Sequence, residues 1–362
     1  MRCGSGSLSQ ERGCSTPIWY LSAHGVILMK NNPSTLARSV LIVVLISLLN
    51  LSTVNAQSFD GLKVFFCGTG GPLASSGRAQ PCTAVLAGDS LYLVDNGVGG
   101  WNTLRGMRAP VTSLKAILIT HLHSDHIAGI GEAAEQSWIN GRVVPLTFIG
   151  PEGVDNMARG FNLVYEQDRL FRKAHHEQGG IIFPLDAAHI RSRTITIPNP
   201  DGTALALEDG ELTITAIRVN HDPISPAFGY RFDYKGRAVV ISGDTIAWPP
   251  LGIAAKGADV LIHEAQSNVM QMAASRRAGP RGGALLKDTV TYHTEPREAA
   301  DLAREAGVKM LVLSHLTQAG MPGFPETFTE GIEDGGELDW LLAQDGMTVE
   351  LPAGGIEINV SE

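Results

Sequence analysis

The sequence of 362 residues predicts an α/β protein in which several strands end at one shared rim. Six β-rich apolar runs are each followed at once by polar residues suited to chemistry, and amphipathic helical segments fit between the runs. Ligand-type residues gather at such strand ends in layered α/β folds, because the loops there are free to carry polar groups. The polar groups that follow the six runs are Asp95-Asn96-Gly97, His121, His221, Ser242-Gly243-Asp244, His263-Glu264 and Ser314-His315.

The first 56 residues are predicted to lie outside this fold. Residues 1–28 are interpreted as an over-long gene start and residues 29–56 as a signal peptide, which leaves 57–362 as one domain. The apolar run Val40–Leu51 is too short to span a bilayer comfortably, and Val54-Asn55-Ala56 ends it with a small-residue cleavage pattern. We therefore expect a periplasmic or secreted protein with no stable membrane span after cleavage. An uncleaved N-terminal anchor is the alternative, and N-terminal sequencing of the exported protein distinguishes the two.

Two cysteines remain after such cleavage, Cys67 and Cys82. In an oxidising compartment they can form a disulfide, and otherwise they are two buried thiols that act as small hydrophobic side chains. The sequence leaves both readings open.

Three helices are predicted from the apolar periodicity and the end signals. The first runs from near Asp125 to Trp138, and the second covers Val154 to Lys173 within a helical insertion between residues 145 and 210. The third is capped by Thr294, runs through Arg304 and ends at Gly307.

The composition and the net charge of the chain indicate which kinds of partner it can bind. Charged residues make up 18% of the chain and hydrophobic ones 44%, which is typical of a globular protein. The formal net charge is −9, whereas neutralising nucleic-acid phosphates needs a basic surface. We therefore expect a small anionic ester as substrate and no nucleic acid as partner, and the sequence leaves a homodimer open.

Residues 120–126, Thr-His-Leu-His-Ser-Asp-His, predict a metal site. Imidazole and carboxylate are ligands that zinc prefers, and His121, His123, Asp125 and His126 supply four of them. One metal cannot easily take all four from so short a stretch. Alternation in an extended segment would place His121 and His123 on one side, which leaves Asp125 and His126 for a second metal.

Further polar groups follow this motif in a fixed order: His221, Ser242-Gly243-Asp244-Thr245 and Ser314-His315. In that order they resemble the ligand series of the metallo-β-lactamase superfamily, and the resemblance covers about residues 62–360. The nearest likeness within it is to the ribonuclease Z and arylsulfatase-like branch. That likeness rests on Phe65-Phe66-Cys67-Gly68-Thr69-Gly70, Asp95-Asn96-Gly97, His263-Glu264-Ala265 and His293-Thr294.

The resemblance implies an αββα sandwich with two zinc ions per chain. It implies that one ion is held by His121, His123 and His221, and the other by Asp125, His126 and His315, with Asp244 as the bridge. Two adjacent zinc ions lower the pKa of a shared water, and the resulting hydroxide is the implied nucleophile. Asp125 can also orient or deprotonate this nucleophile.

His293 is the candidate general acid, by resemblance and because imidazole titrates near neutral pH. Glu264 could orient His293, and His263 is a further supporting group.

These residues predict a dinuclear zinc-dependent hydrolase of phosphate or sulfate esters. A lactonase or other carboxylic-ester hydrolase is the first alternative, and a non-catalytic metallo-fold binding module is the second. Two basic segments are candidates to receive a phosphate or sulfate group, although ordinary solvated surface charge is the favoured explanation for them. They contain Arg169, Arg172, Lys173, His175, His176, Arg191 and Arg193, and then Arg276, Arg277, Arg281 and Lys287.

Overall fold

The computed structural model describes residues 59–73 and 77–362 of the chain. The predicted gene start, signal peptide and cleavage site all lie outside these residues. Within the described residues, no helix is both long enough and apolar enough to cross a membrane.

The first of two β-sheets combines strands from the beginning and the end of the described chain. Its eight strands are β1 Gly61–Gly68, β2 Cys82–Ala87, β3 Ser90–Val94, β4 Leu114–Leu118, β5 Leu146–Gly150, β6 Ile190–Thr194, β14 Thr348–Pro352 and β15 Asn359–Ser361. They lie in the order β15-β14-β1-β2-β3-β4-β5-β6. The strands from β3 to β6 are parallel, so their carboxyl ends meet at one edge.

The second sheet takes its seven strands in the order in which they follow one another along the chain. Its seven strands are β7 Thr203–Asp209, β8 Leu212–His221, β9 Ile224–Tyr234, β10 Arg237–Ile241, β11 Val260–Glu264, β12 Met310–Ser314 and β13 Asp339–Leu342. The order is β13-β12-β11-β10-β9-β8-β7, and the strands from β10 to β13 are parallel.

Nine α-helices are present in the described residues. They are α1 Gly100–Gly106, α2 Ser124–Ile127, α3 Ile130–Ile139, α4 Val154–Glu177, α5 Leu185–Ala188, α6 Pro249–Ala255, α7 Asn268–Arg277, α8 Pro280–Asp288 and α9 Pro296–Ala306. Short 3₁₀ helices cover Val111–Ser113, Thr289–Thr291 and Ile332–Gly335.

The two sheets pack face to face, with helices on both outer sides. The central apolar layer takes side chains from both sheets, among them Tyr92 of β3 and Phe228 of β9. Trp101 of α1 packs in the outer layer of the first sheet, and Leu302 of α9 packs in that of the second. Burying both faces of each sheet accounts for the near-continuous apolar runs of the parallel strands. The predicted αββα sandwich is confirmed.

The segment between residues 145 and 210 is more closely built into the sandwich than a helical insertion would be. It contains helix α4 where a helix was predicted, the short helix α5, and also β5 and β6 of the first sheet and β7 of the second. Helix α4 packs on the first sheet, where the rings of Phe148 and Phe161 lie 6.2 Å apart in an edge-to-face contact.

The other predicted helices differ from the structure at their ends. The helix expected from Asp125 to Trp138 is two helices, because the chain breaks between α2 and α3 at Gly129. Helix α9 is capped by Glu295, whose side chain and that of Glu298 bond reciprocally to backbone N–H groups, rather than by Thr294. Thr294 instead donates its hydroxyl to the carbonyl oxygen of Thr245, 2.6 Å away.

The two cysteines left open by the sequence form a disulfide. Cys67 of β1 and Cys82 of β2 are bonded, with their Cα atoms 5.0 Å apart. Both sulfurs are buried in the outer layer of the first sheet, so the bond joins two neighbouring strands just behind the rim.

Candidate metal centre

The predicted rim brings seven candidate ligands to one place. Asp244, which follows β10, lies at its centre, and its Oδ2 atom faces imidazole nitrogens from both sheets. The distances from Asp244 Oδ2 to Nε2 of four histidines are 4.0 Å for His121, 3.9 Å for His221, 3.4 Å for His126 and 3.4 Å for His315.

Asp125 completes the second half of this cluster. Its Oδ2 atom lies 3.6 Å from Nε2 of His126 and 3.5 Å from Nε2 of His315. Tetrahedral coordination with zinc–ligand distances of about 2.0–2.1 Å implies about 3.4 Å between ligand atoms. Asp125, His126 and His315 therefore have the spacing of one metal site, and His121, His123, His221 and Asp244 group as a second.

The free nitrogens of these histidines support a cation at this position. Nε2 of His121, His126, His221 and His315 is buried and has no hydrogen-bond partner in the described part of the chain. Buried polar atoms are almost always hydrogen-bonded, so four orphaned nitrogens around one carboxylate need partners that the described residues do not supply. Burial alone would raise the pKa of Asp244, but the imidazoles of His315 and His126 hold it well below the usual value. Asp244 is thus an anion, and the donor set fits divalent metal ions.

Hydrogen bonds on the opposite ring nitrogens fix the orientation of three of these imidazoles. Nδ1 of His126 donates to Asp95 over 2.7 Å, and Nδ1 of His121 donates to the hydroxyl oxygen of Thr120 over 3.0 Å. Nδ1 of His221 donates to the carbonyl oxygen of Tyr292 over 3.0 Å. This arrangement leaves Nε2 as the free acceptor in each ring, as metal-binding histidines require.

The backbone around the centre adopts conformations that residues other than glycine rarely adopt. Asp95 and His315 have φ values of 57° and 54°, in the left-handed region, at the ends of β3 and β12. Gly243 has φ 63°, and a Cβ there would lie 2.5 Å from the carbonyl oxygen of Phe228. Such strain collects at functional sites, and here it turns Asp244 and His315 into the rim.

His293 borders the metal cluster and is paired with Glu264. Nδ1 of His293 lies 2.8 Å from Oε1 of Glu264, and its ligand atoms group with those of Asp244 and His315. Burial opposes protonation of this imidazole, but the charge of Glu264 and its hydrogen bond outweigh burial and raise the pKa of His293 to about 9. Glu264 also accepts the backbone N–H of Thr245, so it ties His293 to the loop that carries Asp244.

His263, unlike His293, does not border the metal cluster. It is buried, and its Nδ1 is bonded to the carbonyl oxygen of Glu264 rather than to a group of the metal cluster. Sequence reasoning missed Thr120 and Tyr292 as orienting groups. Thr120 stands beside the first histidine of the motif, but Tyr292 acts through its backbone, which leaves no signal in the residue type.

Comparison with known proteins agrees with the fold. The family described as "Beta-lactamase superfamily domain" matches residues 92–316. Among solved structures, the metallo-beta-lactamase fold protein YhfI from Bacillus subtilis superposes with a TM-score of 0.57 at 22% identity, covering 80% of this chain and 100% of that one. Human tRNase Z, short form, superposes with a TM-score of 0.55 at 23% identity, covering 80% and 99%.

The chain belongs to the β-lactamase superfamily and is a metal-dependent hydrolase of ester bonds. Its sequence relatives indicate the branch of the superfamily to which it is most similar. Ribonuclease Z of Mycobacterium bovis (strain BCG / Pasteur 1173P2) is 32% identical over 274 residues, which cover 73% of this chain and 89% of that protein. The chain is therefore ribonuclease Z-like, and the alternative of a non-catalytic binding module is not supported.

The prediction about partners is wrong. A small anionic ester without nucleic acid was expected, but relatives that match over most of their length are ribonucleases, and a solved structure of this fold is a tRNase. The prediction used the net charge of the whole chain, which says nothing about how charges are distributed over its surface.

Proposed function

We propose that the chain is a metal-dependent phosphodiesterase that hydrolyses phosphodiester bonds of RNA with two divalent metal ions. One observation carries this proposal: Oδ2 of Asp244 lies between two groups of ligands, 3.4–4.0 Å from four imidazole nitrogens that have no hydrogen-bond partner among residues 59–73 and 77–362. A shared carboxylate between two ligand groups is suited to two adjacent ions.

Seven side chains would hold these ions. His121, His123 and His221 would bind one ion, Asp125, His126 and His315 the other, and Asp244 both. Zinc is the metal that this donor set favours. Bound there, the ions would activate a water molecule and offset the negative charge that develops on the phosphate oxygens.

The remaining chemistry falls to side chains of the chain itself. Asp125 would orient the attacking water and accept its proton. His293, which groups with Asp244 and His315, would donate a proton to the oxygen that leaves. Glu264 is a positioning residue, because it holds Nδ1 of His293 and thereby directs Nε2 towards the centre.

The proposed function is tested by adding metal to chelated protein and measuring turnover. With zinc, we expect cleavage of a short RNA and of bis(p-nitrophenyl) phosphate, and little turnover of p-nitrophenyl sulfate or a lactone. Asp244→Asn should lower both metal affinity and diester turnover by more than about 100-fold, since even groups that only orient a ligand account for 10- to 100-fold. Equal activity in chelated protein, or a lactone as the best substrate, contradicts the proposal.

The role of His293 has a separate test. His293→Ala should keep both metal ions but lower RNA cleavage by about 100-fold, because the alkoxide that leaves needs a proton. Bis(p-nitrophenyl) phosphate should lose much less, because its aryl oxide leaves without protonation. Metal content measured beside both rates is the control, and equal losses on the two substrates remove His293 from this role.

A further inference from the structure

A cavity of about 220 Å³ lies beside His293, on the side of helices α7 and α8. This is far more than the ~30 Å³ that one water molecule occupies in the liquid. Most of its wall is apolar and comes from three parts of the chain: Leu73, Ala274, Leu285, Leu286 and Met321. The two helices are closely packed at their turn, where a Cβ on Gly283 would lie 2.6 Å from the carbonyl oxygen of Ser275.

The cavity also has polar atoms without partners. Gln266 is 1% exposed and lines the cavity, and its Nε2 has no hydrogen-bond partner in the described residues. Oγ1 of Thr317, on the same wall, is likewise buried without a partner. The neighbouring amides differ, because Gln318 donates to Gln271 over 3.0 Å and Gln271 donates to Thr289 over 2.7 Å. A buried amide left free beside satisfied ones needs a partner that the described residues do not supply, and water or a ligand can provide it.

The helices that form this wall carry unbalanced positive charge. Residues 268–288 contain four cations and one carboxylate, Asp288, in a chain whose formal net charge is −9. Within the described residues, none of these cations lies within 4.0 Å of a carboxylate, and all four are exposed: Arg276, Arg277, Arg281 and Lys287. Exposed cations that are not neutralised by the protein suit a polyanion such as a phosphodiester chain.

We propose that this cavity binds the base of the nucleoside whose hydroxyl leaves during RNA cleavage, a proposal that rests on the function proposed above. His293 lines the cavity and would protonate the leaving oxygen, so the group attached to that oxygen extends into the cavity. Apolar walls accept the faces of a base, and Gln266 and Thr317 reach its polar edge. The cations of α7 and α8 would contact the phosphates that follow.

The test compares a dinucleoside phosphate carrying two uracils with two analogues that each lack one base. The side that leaves is read from which ribose keeps the phosphate in the products. Loss of the leaving-side base should lower kcat/KM by about 10- to 100-fold, the range for a base seated in a protein site, whereas loss of the other base should change it little. Equal rates for the two analogues overturn the proposal.

Leu285→Asp tests the cavity itself. Leu285 is 59% exposed, so this substitution should not prevent folding, and it places a carboxylate in the wall. The rate advantage given by the leaving-side base should fall at least several-fold. Leu163→Asp, at a 72% exposed position on α4, is the matched control and should leave that advantage intact. An undiminished advantage in Leu285→Asp contradicts the inference.

These results separate the inference from the proposed function. Metal-dependent turnover of bis(p-nitrophenyl) phosphate without any effect of the base overturns only the cavity assignment. Absence of turnover on every phosphodiester overturns the proposed function and the cavity assignment together.

Discussion

Helix α4 and the helix pair α7–α8 both carry several arginines and lysines, but the two regions differ in whether these cations are paired with carboxylates. On α4, the Nε–H of Arg169 is shared between the two carboxylate oxygens of Glu135, at 3.0 and 3.2 Å. Nε of Arg172 donates to Asp168 over 2.7 Å, and Lys173 pairs with Glu177. On the helix pair α7–α8, no such carboxylate partner is present among the described residues.

The difference shows that a basic segment identifies a binding surface only when its charges are left unneutralised. Each cation of α4 named above has a carboxylate of its own, so it adds little net potential for a polyanion. The cations of α7–α8 remain available and stand on helices that border His293. The two segments were equivalent candidates in the sequence, and only the contacts distinguish them.

The largest effect should come from breaking the buried pair on α4. Arg169 is 7% exposed and Glu135 is 4% exposed, so Arg169→Met leaves a buried carboxylate without its partner. We expect the free energy of unfolding to fall by about 3–5 kcal/mol, measured by chemical denaturation. Turnover of bis(p-nitrophenyl) phosphate per folded molecule should not change, since Arg169 does not contact the metal centre.

Two further variants sharpen this result. Arg172→Met on the same helix breaks a half-exposed i,i+4 pair and should lower stability by no more than about 0.5 kcal/mol. Glu135→Leu combined with Arg169→Met should recover part of the lost stability, because Glu135 is then no longer a buried carboxylate without its partner. Similar stability of Arg169→Met and Arg172→Met would mean that α4 uses its arginines as surface charge after all.

The same contrast explains what could be predicted from the sequence. Asp244 and His315 could be placed at the rim because each follows a short continuous apolar run, which is typical of a buried strand and can be recognised from the local sequence. The pairing of Arg169 with Glu135 could not, because it joins positions 34 residues apart that meet only after α3 and α4 pack on the first sheet. The cap of α9 was misplaced by one residue for a related reason, since Thr294 is taken by a distant carbonyl.

The smaller effect concerns RNA binding by α7–α8. Arg276→Gln combined with Arg277→Gln removes two unpaired cations and should leave the free energy of unfolding nearly unchanged. The slope of log affinity for single-stranded RNA against log salt concentration should become less steep by about 1.4. The reason is that two phosphate contacts are lost, and each contributes about 0.7 to the slope through the counterions it displaces.

Arg172→Gln combined with Lys173→Gln removes the same charge from α4 and is the matched control. Its slope should match that of the unchanged protein, since cations already paired with Asp168 and Glu177 release no counterions from RNA. Equal slopes for the two double variants would show that RNA does not distinguish the two segments, and the assignment of α7–α8 to the phosphate chain would then be wrong.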